Sequence, residues 1–304
     1  MIIVVTPGQG SQTPGFLEPW LDVDGVREHL EALSDASGVD LITHGTVSDA
    51  DTIRDTEIAQ PLIVAASIVT GSLLVSNRRQ AVAAVAGHSV GEFAAAYLAG
   101  VLSDVDAIRL VGVRGRAMAN EASKVATGMS AVLGGEPEAL QVRLEELGLT
   151  AANMNGGGQV VVAGELDALA ALAAEPVAGT RVIPLQVAGA FHTAFMAGAV
   201  ETLREASSSI TPNDPSIPIY TNRDGSRVTR GTEYLDFLVG QVSNPVRWDL
   251  CMEAFANDGV TGIVELAPAG ALVGLVKRGI KGLPTVAVKT PDDLVEAVTL
   301  LEAS

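Results

Sequence analysis

The sequence predicts an α/β fold with a small ferredoxin-like insertion, and three observations carry that expectation. Short apolar runs alternate with helix-compatible segments along the chain, as strands that feed helices do. One run, Ala81 to Ala86, enters the turn Gly87-His88-Ser89-Val90-Gly91, and a helix-compatible run from Glu92 to Leu98 leaves it and stops at Gly100. Residues 127–188 then read strand, helix, strand, strand, helix, strand, the order of a ferredoxin-like unit.

Taken in order, Ile2 to Thr6 is strand-like and ends in the Gly-rich loop Pro7-Gly8-Gln9-Gly10-Ser11-Gln12. Such a loop can turn backbone N–H groups toward a phosphate or an oxyanion. It lacks the lysine of a P-loop and the spacing of a dinucleotide fingerprint, so a nucleotide is not expected. From Leu30 to Thr70 helices separated by polar turns are predicted, with Gln60-Pro61 ahead of the apolar run Leu62 to Val69.

The turn at 87–91 has the setting of a nucleophile elbow. Its glycines let strand and helix approach closely, the corner pushes the Ser89 hydroxyl outward, and the Val90 N–H opens a helix where it can meet an oxyanion. A tight structural turn would read the same way. Ser103 and Asp106 form a capping box that starts a helix through about Asn120. At about 100° per residue, Ala107, Leu110, Val111, Ala117 and Met118 share an apolar arc with Arg114 at its middle, while Arg109, Arg116 and Asn120 fall opposite. An unpaired buried charge costs several kcal/mol. Arg114 therefore meets an internal carboxylate or faces a cleft that takes an anion, and helix geometry leaves both open.

Within the insertion, Met129 to Leu133 is a strand and Pro137 to Leu147 a helix closed by Gly148. Thr150 to Met154 and Gln159 to Ala163 form a hairpin around Asn155-Gly156-Gly157-Gly158, Glu165 to Ala174 is helical, and Arg181 to Val187 is the last strand. The expected division is 1–126 with 189–304 as the large domain and 127–188 as the small one. Ile217 to Thr221 and Gly262 to Leu266 are buried-strand candidates, Pro268-Ala269-Gly270 opens a helix ending near Arg278, and Thr285 to Val288 is a final strand.

A chain of 304 residues, 48% hydrophobic, can bury a large core. No apolar stretch is expected to reach the roughly 18 to 20 residues of a membrane span. Met1 to Val5 run straight into a strand pattern, so no cleavable signal is read and the cytoplasm is the expected compartment. A net charge of -17 argues against nucleic acid and anionic membranes. An acidic partner would need a local basic patch, for which Arg78 with Arg79, and Lys277 with Arg278 and Lys281, are candidates. Cys251, the only cysteine, excludes an internal disulfide and a cysteine-rich metal site and reads as a small buried hydrophobe.

A serine hydroxyl needs a base, and the chain has four histidines. His88 belongs to the turn and should point away from Ser89, as a packing or supporting group. His29 and His44 lie in polar, turn-like stretches and read as solvated. His192, in Gly189-Ala190-Phe191-His192, follows a strand among small and apolar residues. It is the best base by elimination, a core histidine bonded to a carbonyl being the other reading. No histidine follows it, which speaks against an ordinary α/β-hydrolase, whose base comes near the C-terminus. An esterase would have to draw its acid from Asp104, Asp106 or Asp167.

Six motifs in order, GQGSQ at Gly8 to Gln12, GHSVGE at Gly87 to Glu92, RGRAM at Arg114 to Met118, NMNGGGQVVVAG at Asn153 to Gly164, GAFH at Gly189 to His192 and QVSNPVRW at Gln241 to Trp248, span nearly the whole chain. Together they resemble the malonyl-CoA:acyl carrier protein transacylases of fatty-acid and polyketide synthesis. The resemblance implies a large hydrolase-like domain with a parallel sheet around the ferredoxin-like insertion, Ser89 as nucleophile and His192 as base. It further implies the backbone carbonyl of Gln241 as third member, the N–H groups of Gln9 and Val90 as oxyanion hole, and Arg114 as the residue that holds the malonyl carboxylate. Met118, Phe191, His88 and Asn155 are the remaining substrate-binding residues it points to. Phenylalanine before the histidine goes with malonyl in members that choose among extender units, and Val90, where methylmalonyl-selective members often have glutamine, points the same way. Malonyl-CoA and holo-acyl carrier protein are the implied substrates, with no bound cofactor or metal and a monomer as the expected state. A serine thioesterase or hydrolase, and a non-catalytic carrier-binding subunit, are the alternatives.

Overall fold

The computed structural model describes residues 1–303, and its two sheets grow out of the apolar runs. In chain order the elements are β1 (Ile2–Thr6), α1 (Val26–Ser37), α2 (Leu41–Thr46), α3 (Thr56–Val75), β2 (Val82–Gly87), α4 (Gly91–Ala99) and α5 (Asp104–Ala122). β3 (Thr127–Gly134), α6 (Pro137–Leu147), β4 (Thr150–Gly156), β5 (Gln159–Glu165), α7 (Leu166–Ala174) and β6 (Thr180–Pro184) follow. The chain closes with α8 (Ala197–Ser207), β7 (Ile219–Tyr220), β8 (Arg227–Val228), α9 (Gly231–Gly240), β9 (Val246–Arg247), α10 (Trp248–Asn257), β10 (Gly262–Glu265), α11 (Ala271–Gly279), β11 (Thr285–Ala287) and α12 (Asp293–Glu302).

The first sheet has the order β11-β10-β1-β2-β7-β8. It is parallel from β11 to β7 and turns antiparallel only at the edge strand β8. Val4 sits between Val85 and Val264 in register, and all of β1 is buried. Helices cover both faces, which is why these strands are continuous apolar runs without alternation.

α3 corrects the expectation that no stretch reaches membrane-spanning length. By length and composition it is apolar enough to cross a bilayer, but it is a core helix buried on nearly every side. Its polar groups are satisfied internally: the Ser67 hydroxyl donates to Ala267 O at 2.7 Å and that of Thr70 to Ala66 O at 2.8 Å. Gln60-Pro61, read as lying ahead of the run, falls inside the helix.

The second sheet has the order β6-β3-β5-β4-β9. Its first four strands, with α6 and α7, are the ferredoxin-like unit. β9 lies outside that unit in sequence and adds parallel to β4, with Asn153 beside Val246 and Met154 beside Arg247. β6 stops at Pro184 instead of reaching Val187, and β7 is two residues of the five expected. His29 and His44 lie half-buried on α1 and α2 and not in solvated turns: His29 Nε2 is 2.9 Å from Asp104 Oδ2, and His44 Nδ1 is 2.9 Å from Ser48 Oγ.

Candidate active site

The corner between β2 and α4 is forced. A Cβ on Gly87 would overlap the backbone of Gly91 and Glu92, and one on Gly91 would overlap Thr6 O of the neighbouring strand. Between them Ser89 adopts φ 52°, in the left-handed region that an L-residue occupies only when its surroundings hold it. Asn222 supplies that hold. Its Oδ1 accepts the Ser89 N–H at 2.7 Å and its Nδ2 donates to Gly87 O at 2.7 Å.

Beyond β6 the chain brings His192 over this corner, also at positive φ (61°). His192 Nε2 lies 2.7 Å from Ser89 Oγ, and Nδ1 lies 2.8 Å from the carbonyl oxygen of Gln241, just past α9. A carbonyl can only accept, so Nδ1 carries the proton and Nε2 offers its lone pair to the serine hydroxyl. Burial, reinforced by the charge of Arg114, pushes the imidazole pKa down to about 3, so it is neutral at pH 7.

Arg114, on α5, is 1% exposed. Its Nη1 donates to Gln60 Oε1 at 2.6 Å and its Nη2 to Gln241 Oε1 at 3.0 Å, with Ser89 Oγ 3.5 Å away. Nε has no partner, and no carboxylate forms an ion pair with this guanidinium among the described residues. Its side chain lines the cavity described below. Burial lowers its pKa to about 9, partly offset by the charge of Glu92.

Glu92 is itself buried. It accepts the Asn222 N–H at 2.8 Å and the Tyr234 hydroxyl at 3.3 Å on Oε1, and the side-chain amide of Gln241 on Oε2. Burial raises its pKa to about 8 against those donors.

A cavity of about 340 Å³ opens onto this array, within the range of a small-molecule site. Gln9, Gln60, His88, Ser89, Val90, Arg114, Met118, Asn155, Phe191 and His192 line it, so all the sequence-predicted residues meet here except Gln241, which stands behind Arg114 and His192. The backbone N–H groups of Gln9 and Val90 have no acceptor among the described residues. His88 faces the cavity as well as packing: its Nε2 is 2.8 Å from Asn155 Oδ1, and its ring meets Trp248 edge-on. Of the basic candidates, Arg78 pairs with Glu302 and Arg79 binds Leu98 O, whereas Arg278 lines the cavity.

Residues 3–295 match the model of the acyl transferase domain family. The chain belongs to that family. The malonyl CoA-acyl carrier protein transacylase of Mycobacterium tuberculosis (strain ATCC 25618 / H37Rv) is 47% identical to this acyl transferase over 304 residues, 99% of this chain and 100% of the relative. The crystal structure of MCAT from Mycobacterium tuberculosis superposes with a TM-score of 0.95 at 47% identity, covering 98% of this chain and 99% of that one. A malonyl-transacylase in complex with its holo type II PKS acyl-carrier protein superposes with a TM-score of 0.91 at 30% identity, covering 98% and 99%.

Three residues of this acyl transferase site escape sequence reasoning. Gln60 and Asn222 carry no motif signal, because each matters only through a neighbour far away in the chain. Glu92 does leave a trace, a carboxylate opening an otherwise apolar helix directly after the serine turn.

Proposed function

We propose that this acyl transferase moves a malonyl group from malonyl-CoA to the phosphopantetheine thiol of acyl carrier protein through an ester on Ser89. One observation carries the choice of acyl group. A buried guanidinium without a carboxylate partner shares a cavity with a serine hydroxyl already bonded to a neutral imidazole. An acyl chain ending in a carboxylate completes the pairing of Arg114.

With that carboxylate on Arg114, the thioester carbonyl faces Ser89. His192 Nε2 takes the hydroxyl proton as Oγ attacks, and the N–H groups of Gln9 and Val90 hold the oxyanion. The Gln241 carbonyl accepts the Nδ1 proton and steadies the imidazolium. Collapse expels the CoA thiolate, which takes the proton from His192 and leaves malonyl-Ser89. The carrier thiol then gives its proton to His192, attacks the ester, and restores the serine as the malonyl thioester of the carrier forms. Thioester, ester and thioester are close in free energy, so the reaction is ping-pong and reversible.

Met118, Phe191, His88 and Asn155 are read as the wall around the acyl and thiol groups, which their place in the cavity supports. The division into 1–126 with 189–304 and 127–188 belongs to the same reading. Its support is that the first sheet brings Ser89 to the cavity and the second brings Met129, Asn153 and Val161. A cytoplasmic, monomeric enzyme needing no bound cofactor completes the proposal. Intact-mass spectrometry after incubation with malonyl-CoA tests it: one malonyl group is expected on the wild type and none on Ser89→Ala. Malonate released to water as fast as it reaches a carrier would make the protein a thioesterase instead.

A further inference from the structure

We propose that Glu92 is a positioning residue for the acyl carboxylate, fixing through the side chain of Gln241 the direction in which Arg114 meets the substrate. The inference rests on the malonyl reading above and goes beyond it to a residue that touches no substrate.

The argument is one of donors and acceptors. An amide side chain can be flipped to present either its oxygen or its NH₂ to a neighbour, and by itself Gln241 has no preference. Its Nε2 is committed to Glu92 Oε2, so its Oε1 must face Arg114, where it accepts from Nη2 at 3.0 Å. In the flipped state the NH₂ would confront the guanidinium, two donors face to face in a buried site. Glu92 can enforce the direction because donors converge on both of its oxygens, the Asn222 N–H and the Tyr234 hydroxyl on Oε1 and the amide of Gln241 on Oε2. These donors favour the acceptor-only carboxylate against the burial that raises its pKa. The guanidinium is then held on two sides by carbonyl oxygens, Gln60 Oε1 and Gln241 Oε1. The backbone of Gln241 separately accepts from His192 Nδ1, a contact that does not pass through the amide Glu92 holds.

Glu92→Gln breaks the rule with little change in shape. A glutamine offers one oxygen where two are needed, and its NH₂ must face either the Asn222 N–H or the amide of Gln241. The experiment compares wild type, Glu92→Gln, Arg114→Ala and the double variant, each first checked for an intact thermal transition. Transfer to holo-carrier is followed over a range of malonyl-CoA, and acyl-enzyme formation from acetyl-CoA is followed by mass spectrometry.

For Glu92→Gln the KM for malonyl-CoA is expected to rise about tenfold or more, the loss typical of a charged hydrogen bond, with kcat changed less. Acetyl loading should stay within about threefold of wild type, and the substitution should add nothing in the Arg114→Ala background. Equal losses with both acyl donors, an unchanged malonyl KM, or additive losses in the double variant would overturn the proposal. If Glu92→Gln does not fold, Gln241→Leu decides the matter, since it keeps the backbone carbonyl under His192 and removes only the amide between Glu92 and Arg114. It too should raise the malonyl KM, and an unchanged value rejects the role of Glu92. A wild type that never takes up malonyl removes the underlying reading and this one with it. A wild type that loads normally beside variants with unaltered KM removes this one alone.

Discussion

At the scale of single residues, the proposed function divides the labour between Ser89, His192 and Arg114. Replacing Arg114 by alanine is expected to cut malonyl transfer about a hundredfold or more while raising relative activity on acetyl-CoA, because a buried cation left unpaired no longer penalises the neutral acyl group. Competition between the two acyl-CoAs measures this, and unchanged selectivity would remove Arg114 from its role. His192 is held neutral far below the ordinary imidazole value. The acid limb of malonyl loading should therefore lie well below pH 6.5, and a limb at or above 6.5 would contradict that environment. The same depression makes the folded state lose stability as pH falls from 6.5 toward 3, because only the unfolded chain gains that proton. These three residues were legible because their chemistry restricts the residue type: a serine in a Gly-bounded turn, the histidine left by elimination among four, a cation in an apolar arc. Asn222 was not, since its work depends on a partner 133 positions away.

At the scale of elements, the strand-to-helix corner stores strain that its neighbours maintain. Gly91→Ala would drive a methyl group into Thr6 O of β1. It is expected to lower the thermal midpoint and to remove acyl loading, the loss of loading exceeding what partial unfolding alone explains. A variant with native midpoint and activity would show the corner to be softer than its geometry implies. Long elements were readable because periodicity repeats within them. β1 and α6 match their expected bounds, and α5 starts at its predicted cap, Ser103 accepting the Asp106 N–H at 3.0 Å. β7, β8 and β9 have two residues each, too few to show a period, and exist because a neighbouring edge offers hydrogen bonds.

At the scale of the whole molecule, the two sheets are tied together by more than their linkers. β9 follows α9 of the large body, joins the edge of β4, and leads directly into α10, where Trp248 packs against Phe255 and His88. Because the ferredoxin-like sheet is completed by a strand from outside it, the two bodies should melt together. Calorimetry is expected to show one cooperative transition whose van't Hoff and calorimetric enthalpies agree, and two resolved transitions would contradict this coupling. The succession of strands and helices along the small unit was readable from local pattern. The fifth strand of its sheet was not, because a parallel partner from a distant segment is a product of assembly.

Gln241 presents its carbonyl to the imidazole and its amide to the guanidinium, so in the proposed reaction proton transfer and acid recognition meet at one residue, the first through its main chain and the second through its side chain. A displaced backbone there would unseat both at once and leave an idle protein, whereas a loosened side chain frees only the guanidinium and leaves the imidazole seated. Fidelity is thereby guarded on one route of two: a drift of the main chain silences this catalyst before it can grow careless, and only a fault confined to the side chain can blunt its choice of acid.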